Sequence, residues 1–371
     1  MLIGIDASRA IAPRLTGTER YSREIIASLL QAGAQRYRFR LYFRPGDDAE
    51  RIQFLDVLLP DANIATIEPV VIQQSRLWTH LGLGREIAAR PPDALFVPSH
   101  VLPIGLQHSL RTVVTVHDVG YRHFPQAHPL QKRLYLDWGT RHSVRAANVV
   151  IADSYATADD ITRFYNTSPN CVRVAYPGPL PLVDVTEAHI SKTLTKLGLA
   201  RKQPFVLHIG TQQPRKNLRR LIEAWVAAKK PQDAQLVLAG GAGWGSESLP
   251  SHDSIKITGY ITDEDKSVLM RTATAYVFPS LYEGFGFPVL EAQSVGLPVV
   301  CSNTSSLPEV AGESALLVNP LDVNDIAYAL ARVLNDAVLR ERLAVSGYEN
   351  VKRFSWEACA RVVLEGLENK E

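Results

Sequence analysis

The stretch "AYVFPSLYEGFGFPVLEAQSVG", residues 275–296, reads as a strand, a loop and a helix in immediate succession. Its first residues form a short apolar run of strand length. Residues 281–287 carry Gly284 and Gly286, and Pro288 falls in the first turn of the helical stretch, where a missing N–H costs nothing. A strand feeding a helix in this way is the repeating unit of an open parallel sheet. Such sheets bind ligands outside the carboxyl ends of their strands. The helix start directs unpaired N–H groups toward that edge and favours anions. The glycines let the loop backbone, from Gly284 through Phe285 and Gly286 to Phe287, approach a ligand closely. Two carboxylates bracket this turn. Glu291 reads as lying in the first helical turn, where it complements the helix dipole. Glu283 sits in the loop and has no such reason to be there.

The same alternation runs through the chain. Apolar runs recur at 2–6, 94–98, 112–118 and 148–152, and again at 205–210, 235–240, 275–280 and 298–302, each followed by a segment of helical pattern. Strands of this kind belong to parallel sheets buried on both faces. Two series in 371 residues predict an α/β chain of two Rossmann-like, doubly wound domains. Between them lies "YPGPLPLVD" (176–184), whose prolines and glycine suit a linker. The expected domains are 1–180 and 181–371, facing each other across a cleft. The strand-end rule then selects Gly17, His117, Asp118 and the turn from Gly210 to Asn217 as further candidates.

That turn opens "GTQQPRKNLRRLIEAW" (210–225), which places Arg215 and Lys216 before a helix with Leu218, Leu221, Ile222 and Trp225 at helical spacing. Adjacent cations at a helix start oppose the macrodipole, so a purely structural account is poor. A diphosphate explains them: arginine offers a bidentate fork and lysine a point charge. Carboxylates on either side of an anion-binding turn add partners for hydroxyls flanking the phosphates. The combined pattern fits a nucleotide sugar, with one carboxylate for the ribose diol and one for the sugar.

Composition agrees with a soluble globular protein, with 46% hydrophobic and 21% charged residues. Three scattered cysteines argue against a disulfide framework and for a reducing, cytoplasmic compartment. "MLIGIDASRA" reads as a first strand and not a signal peptide. No apolar run approaches the roughly 18 residues of a membrane span. The net charge of +2 is too small to suggest a nucleic-acid binder, yet residues 1–180 carry 20 Lys+Arg against 16 Asp+Glu and the remainder 20 against 22. Basic residues interleave with aromatics in "RYRFRLYFR" (36–44) and "QKRLYLDWGTRHSVR" (131–145). These are either solvated faces or contacts for an anionic acceptor or a membrane surface. A dinucleotide-binding dehydrogenase is excluded, since "GGAGWGSES" (240–248) has Ser246 where the third glycine of Gly-x-Gly-x-x-Gly is required.

Here the chain resembles a known family. "EGFGFPVLE", "GTQQPRKNL", "SSLPEVAG" (305–312), "TGTERYSREII" (16–26) and "TGYITDEDKSVLM" (258–270) look like the signatures of glycosyltransferase family 4, with its two-domain GT-B fold. The resemblance runs nearly end to end. It implies a retaining transfer from a nucleoside-diphosphate sugar, with no metal and no cofactor. Gly17 would then lie beneath the diphosphate and His117 would contact the donor sugar. Arg215 and Lys216 would neutralise the leaving group beside the Gly210 turn, Glu283 would orient the sugar and Glu291 would bind the ribose. Backbone at Gly259, Tyr260 and Ile261 would meet the base. The last helix, about 356–371, would cross back to the first domain, and Asp118 is expected to be structural. "PRKNL" and "SSLPEVAG" look most like mannosyltransferases using guanosine diphosphate sugars, with a uridine diphosphate donor as the runner-up. The implied acceptor is a glycan, lipid-linked or soluble, with peripheral membrane contact through the basic first domain. A noncatalytic binding protein would be expected to have lost Glu283 or Lys216, and a GT-B epimerase would lack the full "EGFGFPVLE" context.

Overall fold

The computed structural model describes residues 1–12, 16–33, 35–46, 51–55, 67–74, 76–127, 129–243 and 249–368. Residues 244–248 of the rejected dinucleotide stretch and 369–371 of the last expected helix lie outside these. The chain divides into two compact units, one of residues 1–119, 134–178 and 354–371 and one of residues 120–133 and 179–353.

In the first unit seven parallel strands form one sheet: β1 (Leu2–Asp6), β2 (Arg38–Phe43), β3 (Ile67–Val71), β4 (Ala94–Val97), β5 (Arg111–Val116), β6 (Val149–Ala152) and β7 (Val172–Val174). Their order is β3-β2-β1-β4-β5-β6-β7. Direction of winding reverses between β1 and β4, the point where doubly wound sheets open a crevice. The helix Gly17–Gly33 covers one face with Tyr21, Ile25, Ile26, Leu29 and Leu30 buried. The helix Trp356–Leu367 packs beside it, and a Cβ on Gly366 would lie 3.3 Å from Val113, so this helix rests closely on β5.

The second unit repeats the plan with β8 (Phe205–Ile209), β9 (Gln235–Ala239), β10 (Ile255–Gly259), β11 (Ala275–Phe278), β12 (Val299–Ser302) and β13 (Ala315–Val318), ordered β10-β9-β8-β11-β12-β13. Its switch point lies between β8 and β11. The helix Leu218–Ala227 buries Leu218, Leu221, Ile222, Ala224 and Trp225 against the sheet. Trp225 sets its Nε1–H on the Ser254 hydroxyl at 2.9 Å, which removes the cost of burying that donor.

One local expectation is corrected. The helix after β11 spans Phe287–Ser294 with Pro288 in its first turn, but that turn contains no acidic residue. Glu291 lies one turn further in, beyond the reach of a first-turn dipole effect. In the basic stretch 36–44 the apolar residues Phe39, Leu41, Tyr42 and Phe43 of β2 are core, Arg36, Arg38 and Arg44 are exposed, and Arg40 Nε donates to Glu68 of the neighbouring β3 at 2.9 Å.

Candidate active site

At the second unit's switch point the loop after β8 meets the loop after β11. Pro214–Lys216 form a single 3-10 turn, ended by Asn217 in the left-handed region at φ 60°. Asn217 holds that turn by donating from Nδ2 to the Pro279 and Pro320 carbonyls at 3.1 and 2.6 Å. The Leu281 N–H donates to the Arg215 carbonyl at 2.7 Å, which ties the two loops together. Arg215 Nη1 then lies 2.7 Å from Glu283 Oε2, and Lys216 Nζ lies 2.6 Å from Glu283 Oε1. Two cations thus share one carboxylate, each taking a different oxygen.

Lys216 and Glu283 are both buried. Burial alone would raise the glutamate's pKa, but Arg215 and Lys216 outweigh it and hold the carboxyl at about 2. The ammonium also sits 4.4 Å from the Phe278 ring centroid, a cation–π contact that helps offset desolvation. Beneath it is His208, which burial and the Lys216 charge push down to about 4. The neutral imidazole donates from Nδ1 to the Val277 carbonyl at 3.0 Å. A Cβ on Gly210 would make a tight contact, 3.3 Å from His208 Nε2.

The Gly-rich loop is fixed from outside. The Glu283 N–H donates to Ser305 Oγ at 3.0 Å, and the Ser306 hydroxyl lies 3.0 Å from the Glu283 carbonyl and 2.6 Å from that of Phe285. Gly286 has φ 116°, a backbone conformation that other residues rarely adopt, and a Cβ would strike Leu307 at 2.8 Å. Phe285 is buried with its ring edge-on to Phe287 at 5.1 Å, and Gly284 is half-buried. These phenylalanines brace the loop. His123 of the second unit stacks on Tyr282, 4.4 Å between centroids, one residue from Glu283.

Glu291 is buried and ion-paired with Lys266 of the helix Asp263–Thr272. Tyr276 lies close by, its phenol kept neutral by burial and by the charge of Glu291, and it donates to the Ile209 carbonyl at 3.1 Å. Gly259 closes β10 at φ 69°, where a side chain would meet no atom within 4 Å. Tyr260 follows with 79% exposure and Ile261 is half-buried. Residues 263–265 form an Asp-x-Asp triplet, a spacing sometimes used for metals. Here it makes up the first helical turn, and Asp265 accepts from Thr193 and Lys196 at 2.8 and 2.9 Å.

Gly17 and His117 belong to the first unit. Gly17 begins its helix with no atom within 4 Å of a Cβ position. His117, just past β5, is buried. Its Nε2 faces the Pro98 carbonyl at 2.9 Å, and a carbonyl only accepts, so Nε2 carries a proton. Its Nδ1 lies 2.6 Å from Asp153 Oδ2, which requires one more proton between them. The pair is net neutral whichever side holds that proton. Burial would lower the imidazole's pKa, yet Asp153 raises it above the ordinary 6.5. Both ring nitrogens therefore make their contacts inside the first unit, and the partner is Asp153, not the adjoining Asp118.

Sequence reasoning missed Asp153, Lys266, His123 and the roles of Ser305 and Ser306. Asp153 ends a strand and was open to the same rule that selected His117. Ser305 and Ser306 lie in a stretch already singled out. Nothing local marks Lys266 or His123, whose partners are 25 and 159 residues away.

Two doubly wound parallel units, with a cation–carboxylate cluster at a switch point, define the class of GT-B glycosyltransferases, and comparison with known proteins agrees. Residues 15–179 match the model of Glycosyltransferase Family 4 and residues 190–350 that of Glycosyl transferases group 1. The O-antigen chain mannosyltransferase B of Escherichia coli is 34% identical over 272 residues, covering 71% of this chain and 70% of that one. The serotype-specific mannosyltransferase WbdA of Escherichia coli is 30% identical over 239 residues; the match covers 60% of this chain but 29% of that much longer protein. A sucrose-phosphate synthase from Thermosynechococcus elongatus superposes with a TM-score of 0.70 at 21% identity, covering 98% of both chains. The chain belongs to glycosyltransferase family 4 and is an enzyme of the mannosyltransferase-like kind.

Proposed function

We propose that this enzyme moves a mannosyl or closely related hexosyl unit from a guanosine diphosphate sugar to a hydroxyl of a glycan, free or lipid-linked. The observation that carries the reading is the pairing of Arg215 and Lys216 on the single carboxylate of Glu283. As the bond from sugar to diphosphate breaks, negative charge grows on the departing oxygen. Cations already fixed beside that oxygen stabilise the charge without reorganising. The protein supplies these cations itself, so the reaction proceeds without a metal or other cofactor. No side chain is needed as a nucleophile, and transfer occurs with retention: the acceptor hydroxyl attacks on the face the diphosphate leaves, the bond from C1 to the diphosphate oxygen breaks as the new glycosidic bond forms, and the departing diphosphate oxygen takes the hydroxyl's proton. Glu291, steadied by Lys266, accepts from the ribose diol, and the backbone at Gly259–Ile261 meets the base.

The preference for mannose rests on the similarity to the two mannosyltransferases, and the acceptor class on the same relatives. The enzyme works in the cytoplasm at the inner face of a membrane when its acceptor is lipid-linked; no helix among the described residues is long and apolar enough to cross one. The test is to incubate the purified enzyme with guanosine and uridine diphosphate sugars and a mannose-terminated acceptor, with and without chelator, and to read the product's anomeric configuration by NMR. An α-mannoside formed in excess chelator supports the reading. Transfer only from a uridine donor would move the base assignment, and complete dependence on added metal would overturn the mechanism.

A further inference from the structure

His208 is an odd residue for the interior of a parallel strand. It follows Phe205, Val206 and Leu207 in β8, all buried, and is itself only 1% exposed. A buried imidazole is ordinarily satisfied at both ring nitrogens. Here Nδ1 faces the Val277 carbonyl of the neighbouring β11 at 3.0 Å, and a carbonyl only accepts, so Nδ1 carries the proton. Nε2 is then a bare lone pair, because a second proton would set a buried positive charge beside Lys216. That lone pair is closed off from solvent and accepts no hydrogen bond among the described residues. An acceptor left in that condition costs stability, and a phenylalanine in its place would not.

The group that borders the lone pair is Lys216. A Cβ built on Gly210 would stand 3.3 Å from Nε2, and the next nearest atoms are Cε and Cδ of Lys216 at 3.5 and 3.7 Å. Phe278 flanks both side chains: its ring stacks with His208 at 5.7 Å between centroids and lies 4.4 Å from the Lys216 ammonium. The lysine stem therefore passes the edge of the imidazole on its way to Glu283, whose Oε1 lies 2.6 Å from Nζ. An ammonium holds three N–H donors in a tetrahedral array. Glu283 fixes the direction of one of them. Each further fixed acceptor narrows where the others point.

The geometry points to a positioning role for His208: when a diphosphate enters, Nε2 accepts one N–H of the Lys216 ammonium, and the donors that remain are aimed at the phosphate oxygens. The histidine does not touch the ligand and acts through the lysine. A neutral acceptor suits this task, because a second carboxylate at the same place would cancel the positive charge that the phosphates require, whereas an imidazole orients the ammonium without neutralising it. The lone pair left unmet in the empty protein is satisfied on binding, so part of the binding free energy goes into fixing the cation in place. The inference rests on the proposed function for its reading of Arg215 and Lys216 as the diphosphate site, though nucleotide binding can be measured without turnover.

The experiment titrates guanosine diphosphate calorimetrically into the full-length wild type, His208→Asn and His208→Gln, each also in a Lys216→Ala background. Asparagine matches the reach of Nδ1 and glutamine that of Nε2, so the first keeps the Val277 bond and loses the acceptor, and the second does the reverse. His208→Asn should bind ~5-fold more weakly, the scale of one hydrogen bond, and His208→Gln within ~2-fold of the wild type. In the Lys216→Ala background the two should be indistinguishable, since the effect passes through the lysine. Nitrogen NMR of the imidazole needs no variant: the Nε2 resonance should shift on addition of guanosine diphosphate as it takes up the ammonium N–H. The opposite ranking, with glutamine weakened and asparagine unchanged, would make the ring a tie between strands and overturn the inference. So would a difference that persists without Lys216, or an Nε2 resonance that the nucleotide leaves in place. Sugar transfer followed in parallel separates the two readings: the expected ranking in a protein that transfers no sugar removes only the proposed activity, and full transfer with unchanged binding in His208→Asn removes only the histidine's role.

Discussion

At the carboxyl edge of the first unit's sheet, His117 spends one ring nitrogen on the Pro98 carbonyl and the other on Asp153, and Thr157 donates to its backbone carbonyl at 3.3 Å. At the corresponding edge of the second unit, Arg215 and Lys216 converge on Glu283. Both clusters are held at strand ends, and both pair cationic groups with a carboxylate. They differ in charge balance. The histidine cluster is closed, with one proton-bearing ring for one acid. In the second unit two permanent cations share a single anion, so a diphosphate arriving there adds charge of the sign the cluster can accommodate. Sheets that share most of their strand order therefore carry an imidazole–carboxylate pair in one unit and a carboxylate shared by two cations in the other.

Breaking the second cluster should have the largest effect. Glu283→Ala leaves two neighbouring cations without their shared partner, and loss of one member of a buried pair costs about 3 kcal/mol. Thermal unfolding should show this as a lowered melting temperature; an unchanged one would mean that solvent or other groups replace the carboxylate. Lys216→Ala should reduce turnover at least ~100-fold, the scale for removing one preorganised stabilising group. Near-normal turnover in a folded variant would end its assignment to the leaving group.

The first cluster predicts a pH effect. The folded pKa of His117 lies above 6.5, so its contribution is complete below about 6.5 and is lost as pH rises through the folded value, where the native state binds more protons than the unfolded chain. Stability should fall with rising pH in that range, by at most ~1.4 kcal/mol per pH unit for one proton. His117→Asn should flatten the slope, and an identical slope in both proteins would show that the proton resides elsewhere. The smallest effect belongs to Lys266. Lys266→Met should raise the KM for donor by ~5-fold, roughly 1 kcal/mol, with kcat retained, because it steadies Glu291 without touching the reacting bond. A fall in kcat alone would place the lysine at the chemistry.

Much of the fold was legible because parallel strands buried on both faces read as unbroken apolar runs: "ALFV" in β4 and "AYVF" in β11 have every residue buried. The edge strands were not. β3 and β10 contain no fully buried residue, so "IEPVV" and "IKITG" show no such run, and "IKITG" was passed over in favour of the loop that follows it. Arg38 and Arg40 disguised β2, because the half-buried ion pair between Arg40 and Glu68 cannot be seen from either residue alone. Within the site, Arg215, Lys216 and Glu283 were each visible from loop position and charge. Their mutual pairing was not, since 67 residues separate Lys216 from Glu283 and only the adjacency of β8 and β11 joins them. Asp118, adjacent in sequence, drew attention away from Asp153, which β6 delivers to His117 from the neighbouring strand.

The central claim is that the diphosphate is held by the second unit's two cations and not by the histidine cluster. Calorimetric titration of guanosine diphosphate into the wild type, Arg215→Ala, Lys216→Ala and His117→Asn addresses it directly, since this ligand has the phosphates but no sugar. Each cation variant should bind ~10-fold more weakly or worse, the loss expected of a charge-assisted hydrogen bond, and His117→Asn should bind as the wild type does. Wild-type affinity in both cation variants, or a loss in His117→Asn equal to theirs, would contradict the account.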